Sequence, residues 1–524
     1  MKLVPALLAC AAIVSAQAPR PKLVVVVVAD QFRYDYLTRF RSEYSGGLAR
    51  LLKEGAVFTS AHYEHFPTVT AVGHSTILSG ATPSVSGIVG NEWFDREAAK
   101  TVESITDLTE KTLGAPARKA ASPRRLLAST ISDELKMAGR RSKALGISIK
   151  DRSAILTVGR MADAAYWFDR DTGNFVSSTY YFSDLPPWVN EFNRNRTVDR
   201  FLGKEWSPSS AAKDLPPATL FGRLPAKPGR AYYTALLNSS WGNEILIDFA
   251  ERAIETEKLG TGPDTDVLAI SFSSNDDIGH DVGPDAPEVR DVSIATDRQL
   301  NRLFDILDKQ IGMRNVVVVF TSDHGVAPVP ELQKKRRMPG GRIVESAVLK
   351  AAEDAVTAKY GPAKWVVGKS GPAPYFDHNL IRQNGLDLAE VQNAAAEAVR
   401  SLPAVARVYT REQLKLGHIG DDFIARRVRN GFHYERASDL FVIAAPYWVF
   451  DDKAEDTGTS HGSPYNYDSH VPIIIMGRGI RPGVYPARAA VNDIAPTLAE
   501  MLQIETPSGS TGRVLTEALA QQHP

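Results

Sequence analysis

Residues 23–29 read Leu-Val-Val-Val-Val-Val-Ala and run straight into Asp30. Seven consecutive apolar residues, five of them β-branched, predict a strand buried on both faces, as in a parallel sheet. Further apolar runs repeat the pattern. Residues 144–149 lead into Lys150-Asp151-Arg152, 267–272 into a loop carrying Asp276, Asp277 and His280, and 316–320 into Asp323-His324-Gly325. The run 471–476 instead follows directly on a stretch that begins at His461 and ends at His470. Between these runs the spacing of Val289, Val292, Thr296, Leu300, Leu303 and Leu307 marks one stripe of an amphipathic helix. Strands alternating with helices predict a doubly wound, mostly parallel α/β sheet with helices on both faces. In such a sheet ligands bind beyond the carboxyl ends of the strands.

One Asp after a strand is ordinarily a turn or cap residue. Four strand ends loaded with Asp, His, Lys or Arg point to an active site. The rim collects Asp30, Asp276, His280, Asp323 and His324, with His461 or His470 as a sixth ligand. Three carboxylates and three imidazoles suit two metal ions, and a mixed Asp/His set suits zinc better than magnesium or calcium. Asp276 and His280 lie one helical turn apart and can reach the same ion. Residues 66–80 read as a turn followed by a short helix that stops at Gly80. Thr68 and Thr70 stand at its start, where free N–H groups and the helix dipole favour an anion. A metal beside such a hydroxyl can activate it as a nucleophile.

The chain has 524 residues, with 61 Lys+Arg against 61 Asp+Glu. This balance gives no field for nucleic acid. Cys10 is the one cysteine, which excludes a disulfide scaffold and a catalytic cysteine in the body. Residues 1–18 combine Lys2, an apolar run and small residues at Ala16 and Ala18, the layout of a signal peptide cleaved near Ala16 or Ala18. That run is too short for a membrane anchor, so the mature chain is expected to be exported, periplasmic or secreted, without a transmembrane segment. Residues 19–524 form the expected catalytic domain. Two stretches, about 155–260 and 330–445, do not read as sheet core and are expected to cap or flank the site. The first contains a hairpin (AAYWFD-RDTGN-FVSSTYYF). The second contains helical patterns at 344–360 and 386–402, then a strand in AVARVYT.

The motifs TAVGHSTILSGATPSVSGIVGNEWFD, GISIKDR, DDIGH, TSDHG and TSHGSPYNYDSHVP resemble those of the alkaline phosphatase superfamily. Within it the chain is similar to the PafA-like alkaline phosphatases, relatives of the type I phosphodiesterases/nucleotide pyrophosphatases. The resemblance covers nearly the whole mature chain. It implies that Thr70 is the nucleophile, and that Asn91, Lys150 and Arg152 bind the phosphate. It places Asp276, His280 and His461 on one zinc, and Asp30, Asp323 and His324 on the other, with Thr70 as a further ligand. It favours Thr70 over Thr68 by the spacing to Asn91, and His461 over His470 because a Gly follows it. The reaction implied is hydrolysis of a small-molecule phosphate monoester through a covalent phosphothreonine, by a monomeric enzyme with two zinc ions. Lys150 and Arg152 suit the second charge of a monoester dianion. The alternative is a phosphodiesterase or nucleotide pyrophosphatase of the same superfamily.

Overall fold

The computed structural model describes residues 20–115, 118–208, 220–452 and 458–520. The expected signal peptide, with Cys10, lies outside the described residues. Leu23–Ala29 is a strand whose seven residues are all buried. Leu23, Val25 and Val27 enter one hydrophobic core. Val24, Val26 and Val28 enter another. Because strand side chains alternate between faces, both faces of this strand are covered. Helices Glu244–Glu257 and Pro287–Gln310 supply the first core. Helices Thr70–Ser79 and Ile494–Leu502 supply the second. All six residues of the stripe from Val289 to Leu307 are buried.

Among the described residues ten strands form the central sheet. Its middle is parallel: Val316–Thr321, Leu23–Ala29, Asp266–Phe272, Ala144–Ser148 and Ala164–Asp169 are neighbours in that order. The doubly wound, mostly parallel architecture expected from the sequence is present. Ile473–Gly477 differs in direction, pairing antiparallel to Val316–Thr321 with Ile473 opposite Thr321. This reversal brings the start of the 473–477 strand to the rim where the parallel strands end. It therefore delivers the preceding loop, with His461, to that rim.

The hairpin at 164–178 differs from its expected place. Ala164–Asp169 pairs parallel to Ala144–Ser148, and Asn174–Ser178 pairs back antiparallel. The hairpin thus continues the central sheet rather than lying outside it. Its aromatic residues disguised it, for Tyr166, Phe168 and Phe175 are core residues buried against Phe249 and its neighbours. The 330–445 stretch holds a core of its own, with helices Glu345–Tyr360 and Leu388–Arg400. They pack with a ribbon of Val405–Thr410 and Leu440–Ala444. Among the described residues no helix is long and apolar enough to cross a membrane.

Candidate active site

Asp30 is the first residue beyond the central strand and is fully buried, as are Asp323 and His324 beyond the neighbouring one. Asp276 and His280 lie on the helix Ser274–Val282, with His280 Nε2 3.3 Å from Asp276 Oδ1. His461 Nε2 lies 3.8 Å from the same oxygen. His324 Nε2 stands 3.5 Å from Asp30 Oδ1 and 3.5 Å from Asp323 Oδ2. Donor atoms of Asp276, His280 and His461 lie within 4.8 Å of one another, as do those of Asp30, Asp276 and His324. Asp276 thus joins both groups, whereas the expected second trio held Asp323. Asp323 reaches that trio through His324.

The histidines are oriented alike. His280 Nδ1 lies 2.9 Å from Thr459 O, His324 Nδ1 2.9 Å from Gly325 O, and His461 Nδ1 2.8 Å from Thr68 O. A carbonyl only accepts, so each Nδ1 carries a proton and Nε2 is the nitrogen each ring turns toward the carboxylates. Metal-binding imidazoles are held in this way. Burial, with His324 and His280 nearby, drives the His461 pKa well below its ordinary value. Burial also lowers that of His324. Both are therefore neutral, the form that binds a cation. Burial would lower His280 too, but Asp276 outweighs it and lifts the pKa to about 9.

His470 is engaged elsewhere. Its ring stacks on Tyr34 at 4.4 Å and on His62 at 4.5 Å, and its Nε2 meets Thr59 O at 3.0 Å. Asp277 also points away, pairing with Arg170 at 2.5 Å.

Thr70 opens the helix Thr70–Ser79, with its Oγ1 3.4 Å from His324 Nε2. Thr68 donates its hydroxyl to Ser463 O at 2.8 Å, so it ties the turn to the His461 loop. The Ala71 N–H donates to Asn91 Oδ1 at 2.9 Å. This bond fixes the amide and turns its two N–H donors away from the helix. The helix itself sits hard against the rim, for a Cβ on Gly73 would lie 2.1 Å from Asp323 O. Only a glycine admits that approach.

Lys150, expected to bind the phosphate, lies between two buried carboxylates. Its Nζ lies 2.6 Å from Asp30 Oδ2 and also bonds Asp276, bridging the two clusters of donor atoms. Burial lowers its pKa, but Asp276 and Asp30 more than reverse this and hold it charged. The carboxylates differ among themselves. Burial, Asp276 and Asp323 raise the Asp30 pKa well above the usual range. In Asp276 the burial effect is overcome by Lys150 and His280, and its pKa falls well below. Arg152, on the helix Asp151–Val158, has a buried Nε without a partner.

Two residues carry support that the sequence reading missed. His74 is fully buried one turn after Thr70. Its Nδ1 meets Thr70 O at 2.9 Å and stands 3.1 Å from Asp323 Oδ2, while its Nε2 meets Ser271 Oγ at 2.9 Å. Its four-residue spacing from Thr70 was the available signal. Gln31, with φ of 62°, bonds Asp276 Oδ1 through Nε2 at 2.6 Å and Asp323 Oδ1 through its backbone N–H at 3.1 Å. Nothing in an isolated glutamine announces that role.

A rim of buried carboxylates and carbonyl-anchored imidazoles beyond the ends of the parallel strands defines a metal-dependent ester hydrolase site. The chain belongs to the type I phosphodiesterase/nucleotide pyrophosphatase family, whose sequence model matches residues 24–465. Among its relatives, alkaline phosphatase PhoV of Synechococcus elongatus is 35% identical over 95% of this chain and 93% of its own. A protein of Myroides odoratus named as a calcium-transporting ATPase is 34% identical over 98% of this chain and 97% of its own. Alkaline phosphatase PafA of Elizabethkingia meningoseptica is 33% identical over 96% of this chain and 95% of its own. A crystal structure of PafA superposes with a TM-score of 0.90 over 96% of this chain and all of PafA. The resemblance read from the motifs is borne out, and the α/β fold with it.

Proposed function

We propose that the protein is an exported, zinc-dependent alkaline phosphatase that hydrolyses phosphate monoesters through phosphothreonine at Thr70. The observation that carries this reading is the trio of histidines, each with Nδ1 on a backbone carbonyl and Nε2 turned toward buried carboxylates. The PhoV and PafA relatives support the monoesterase activity. In a solved PafA variant a Thr, an Asn, a Lys and an Arg are substituted. They match Thr70, Asn91, Lys150 and Arg152 in order and in spacing within each pair.

Asp276, His280 and His461 would hold one zinc, and Asp30, Asp323 and His324 the other, with Asp276 close to both. Bound zinc would supply positive charge that lowers the pKa of a nearby hydroxyl and neutralises phosphoryl oxygens. The chain's own residues do the rest. Thr70 gives up its hydroxyl proton to solvent and its Oγ forms a bond to phosphorus while the bond to the alcohol oxygen breaks; that oxygen leaves with the electron pair and takes a proton from water. A water molecule then cleaves the phosphothreonine, releasing phosphate and restoring the hydroxyl. Asn91 and Arg152 bind the phosphoryl oxygens, and Lys150 places its charge between them and the carboxylates. Residues 19–524 act as one monomeric catalytic unit, with the 330–445 stretch as its cap.

The phosphodiesterase alternative is favoured by the family's own description. Elemental analysis paired with initial rates on a monoester, a diester and ATP decides between them. Two zinc ions per chain and a higher kcat/KM on the monoester are expected. A preference for the diester would replace the reading, and so would less than one divalent ion per active chain.

A further inference from the structure

Beside the cluster lies a cleft of about 500 Å³, a size that takes a ligand of some twenty to thirty heavy atoms. Its floor carries Asn91, His280 and His461 from the rim, and Asp30, Thr70, Asp323 and His324 are not among its lining residues. The cleft therefore opens at one end of the site only. Thr70 and His324 lie behind that opening, with the His461 ring stacked on His324 at 3.6 Å. In a displacement at phosphorus the attacking and leaving oxygens stand roughly in line on opposite sides. With Thr70 attacking from the His324 end, the leaving alcohol emerges at the His280–His461 end, into the cleft.

The walls state what that alcohol is. They come from the 330–445 stretch and the residues just after it, Phe441, Trp448 and Phe450, with Phe66 and Tyr467 also in the lining. Phe66, Trp448, Phe450 and Tyr467 are only partly buried, so apolar rings face a space that a ligand could fill. The charged residues of the lining are Glu92, Glu345 and Asp468, and no Lys or Arg lines it among the described residues. Glu345 is paired with Lys369 at 3.0 Å, and Asp468 is fully buried with an Oδ1 that has no partner. A leaving group with negative charge, such as a nucleoside diphosphate, would find no Lys or Arg along these walls among the described residues. An apolar leaving group would meet rings. Resting on the phosphomonoesterase reading, the geometry points to a leaving-group subsite under the cap that selects phosphate monoesters of apolar alcohols, alkyl or aryl, over those of charged ones.

The test uses the metal-loaded full chain with ethyl, butyl and hexyl phosphate, whose leaving alcohols have nearly the same acidity. Each methylene removed from water is worth up to about fourfold in affinity. The value of kcat/KM should therefore rise at least about tenfold from ethyl to hexyl phosphate, and ATP should fall below hexyl phosphate. Calorimetry with ethyl-, butyl- and hexylphosphonate, which carry no scissile ester, should give the same order of affinity. In Trp448→Ala and, separately, Phe450→Ala, each checked for folding by thermal melting, the hexyl-to-ethyl ratio should shrink several-fold. Equal kcat/KM and equal phosphonate affinity across the series would overturn the subsite, as would ATP outrunning hexyl phosphate. Failure to hydrolyse any monoester would instead overturn the phosphomonoesterase reading, and the phosphonate series would still decide the cleft.

Discussion

Thr68 and Thr70 differ by two positions and by everything around their hydroxyls. The Thr68 hydroxyl is spent on Ser463 O, whereas Thr70 Oγ1 faces His324 at the start of a helix. Thr70→Ala should abolish trapping of phosphate on the chain and cut turnover by several orders of magnitude. Thr68→Ala should lose about 1 kcal/mol of stability through the missing hydrogen bond and keep the trapped phosphate. Mass spectrometry of the acid-quenched enzyme reads both. Lys150 and Arg152 extend the same reasoning to charge. A charge-assisted bond is worth about 1.5–3 kcal/mol, so Lys150→Ala/Arg152→Ala should lower kcat/KM on monoesters by about two to four powers of ten. Diester hydrolysis should fall far less, because its transition state carries one charge fewer. Equal losses would mean that Lys150 serves mainly as the bridge between Asp30 and Asp276.

At the scale of elements, the strands were legible because five apolar runs each end or begin on polar residues that no buried strand would hold without purpose. What stayed hidden was direction and neighbourhood. No residue in 471–476 signals that the strand runs antiparallel, for the same hydrophobic run serves either orientation; the pairing of Ile473 with Thr321 is a tertiary fact. The hairpin at 164–178 was legible as a hairpin but not as sheet, because Tyr166 and Trp167 are amphipathic as letters and buried only in context. The candidate ligands were legible as a set, Asp276 rather than Asp277 included, and the structure turns Asp277 away to Arg170. Gln31 escaped because Asp276 and Asp323 are distant in sequence, and His74 because Asp323 and Ser271 are. The approach of the Thr70 helix to Asp323 gives this scale its own test. In Gly73→Ala the added methyl must displace either the helix or the Asp323 carbonyl, 2.1 Å from it. The expected result is a loss of about 1–3 kcal/mol in stability, together with weaker metal binding. Unchanged zinc affinity by competition with a chelating dye would show that the helix does not hold Asp323 in place.

For the whole molecule, metal binding and stability are one quantity. The rim packs Asp30, Asp276 and Asp323 into the interior with Lys150 shared by Asp30 and Asp276, an arrangement that a cation at the imidazole nitrogens would stabilise. A ligand held at a hundred times its Kd adds about 2.7 kcal/mol to folding stability, so chelation should lower Tm by several degrees and zinc should restore it. The effect should also depend on pH, in a direction set by His280. Beside Asp276 its folded pKa is about 9, above the ordinary imidazole value. In the chelated protein the protonated pair therefore contributes stability that is fully present below about pH 6.5, the ordinary value, and is lost as pH rises through about 9. Zinc needs the neutral ring, so below about pH 9 it must displace that proton, and its apparent affinity should weaken up to about tenfold per pH unit for this one group. The two trends run in opposite directions. The gap in Tm between the zinc-loaded and the chelated protein should accordingly widen from pH 7 to pH 9. His280→Gln should remove most of that widening while leaving a smaller, flatter response from the other ligands. A gap that stayed constant in the parent protein would mean that no proton on His280 competes with the metal, and its assignment as a ligand would fall with it.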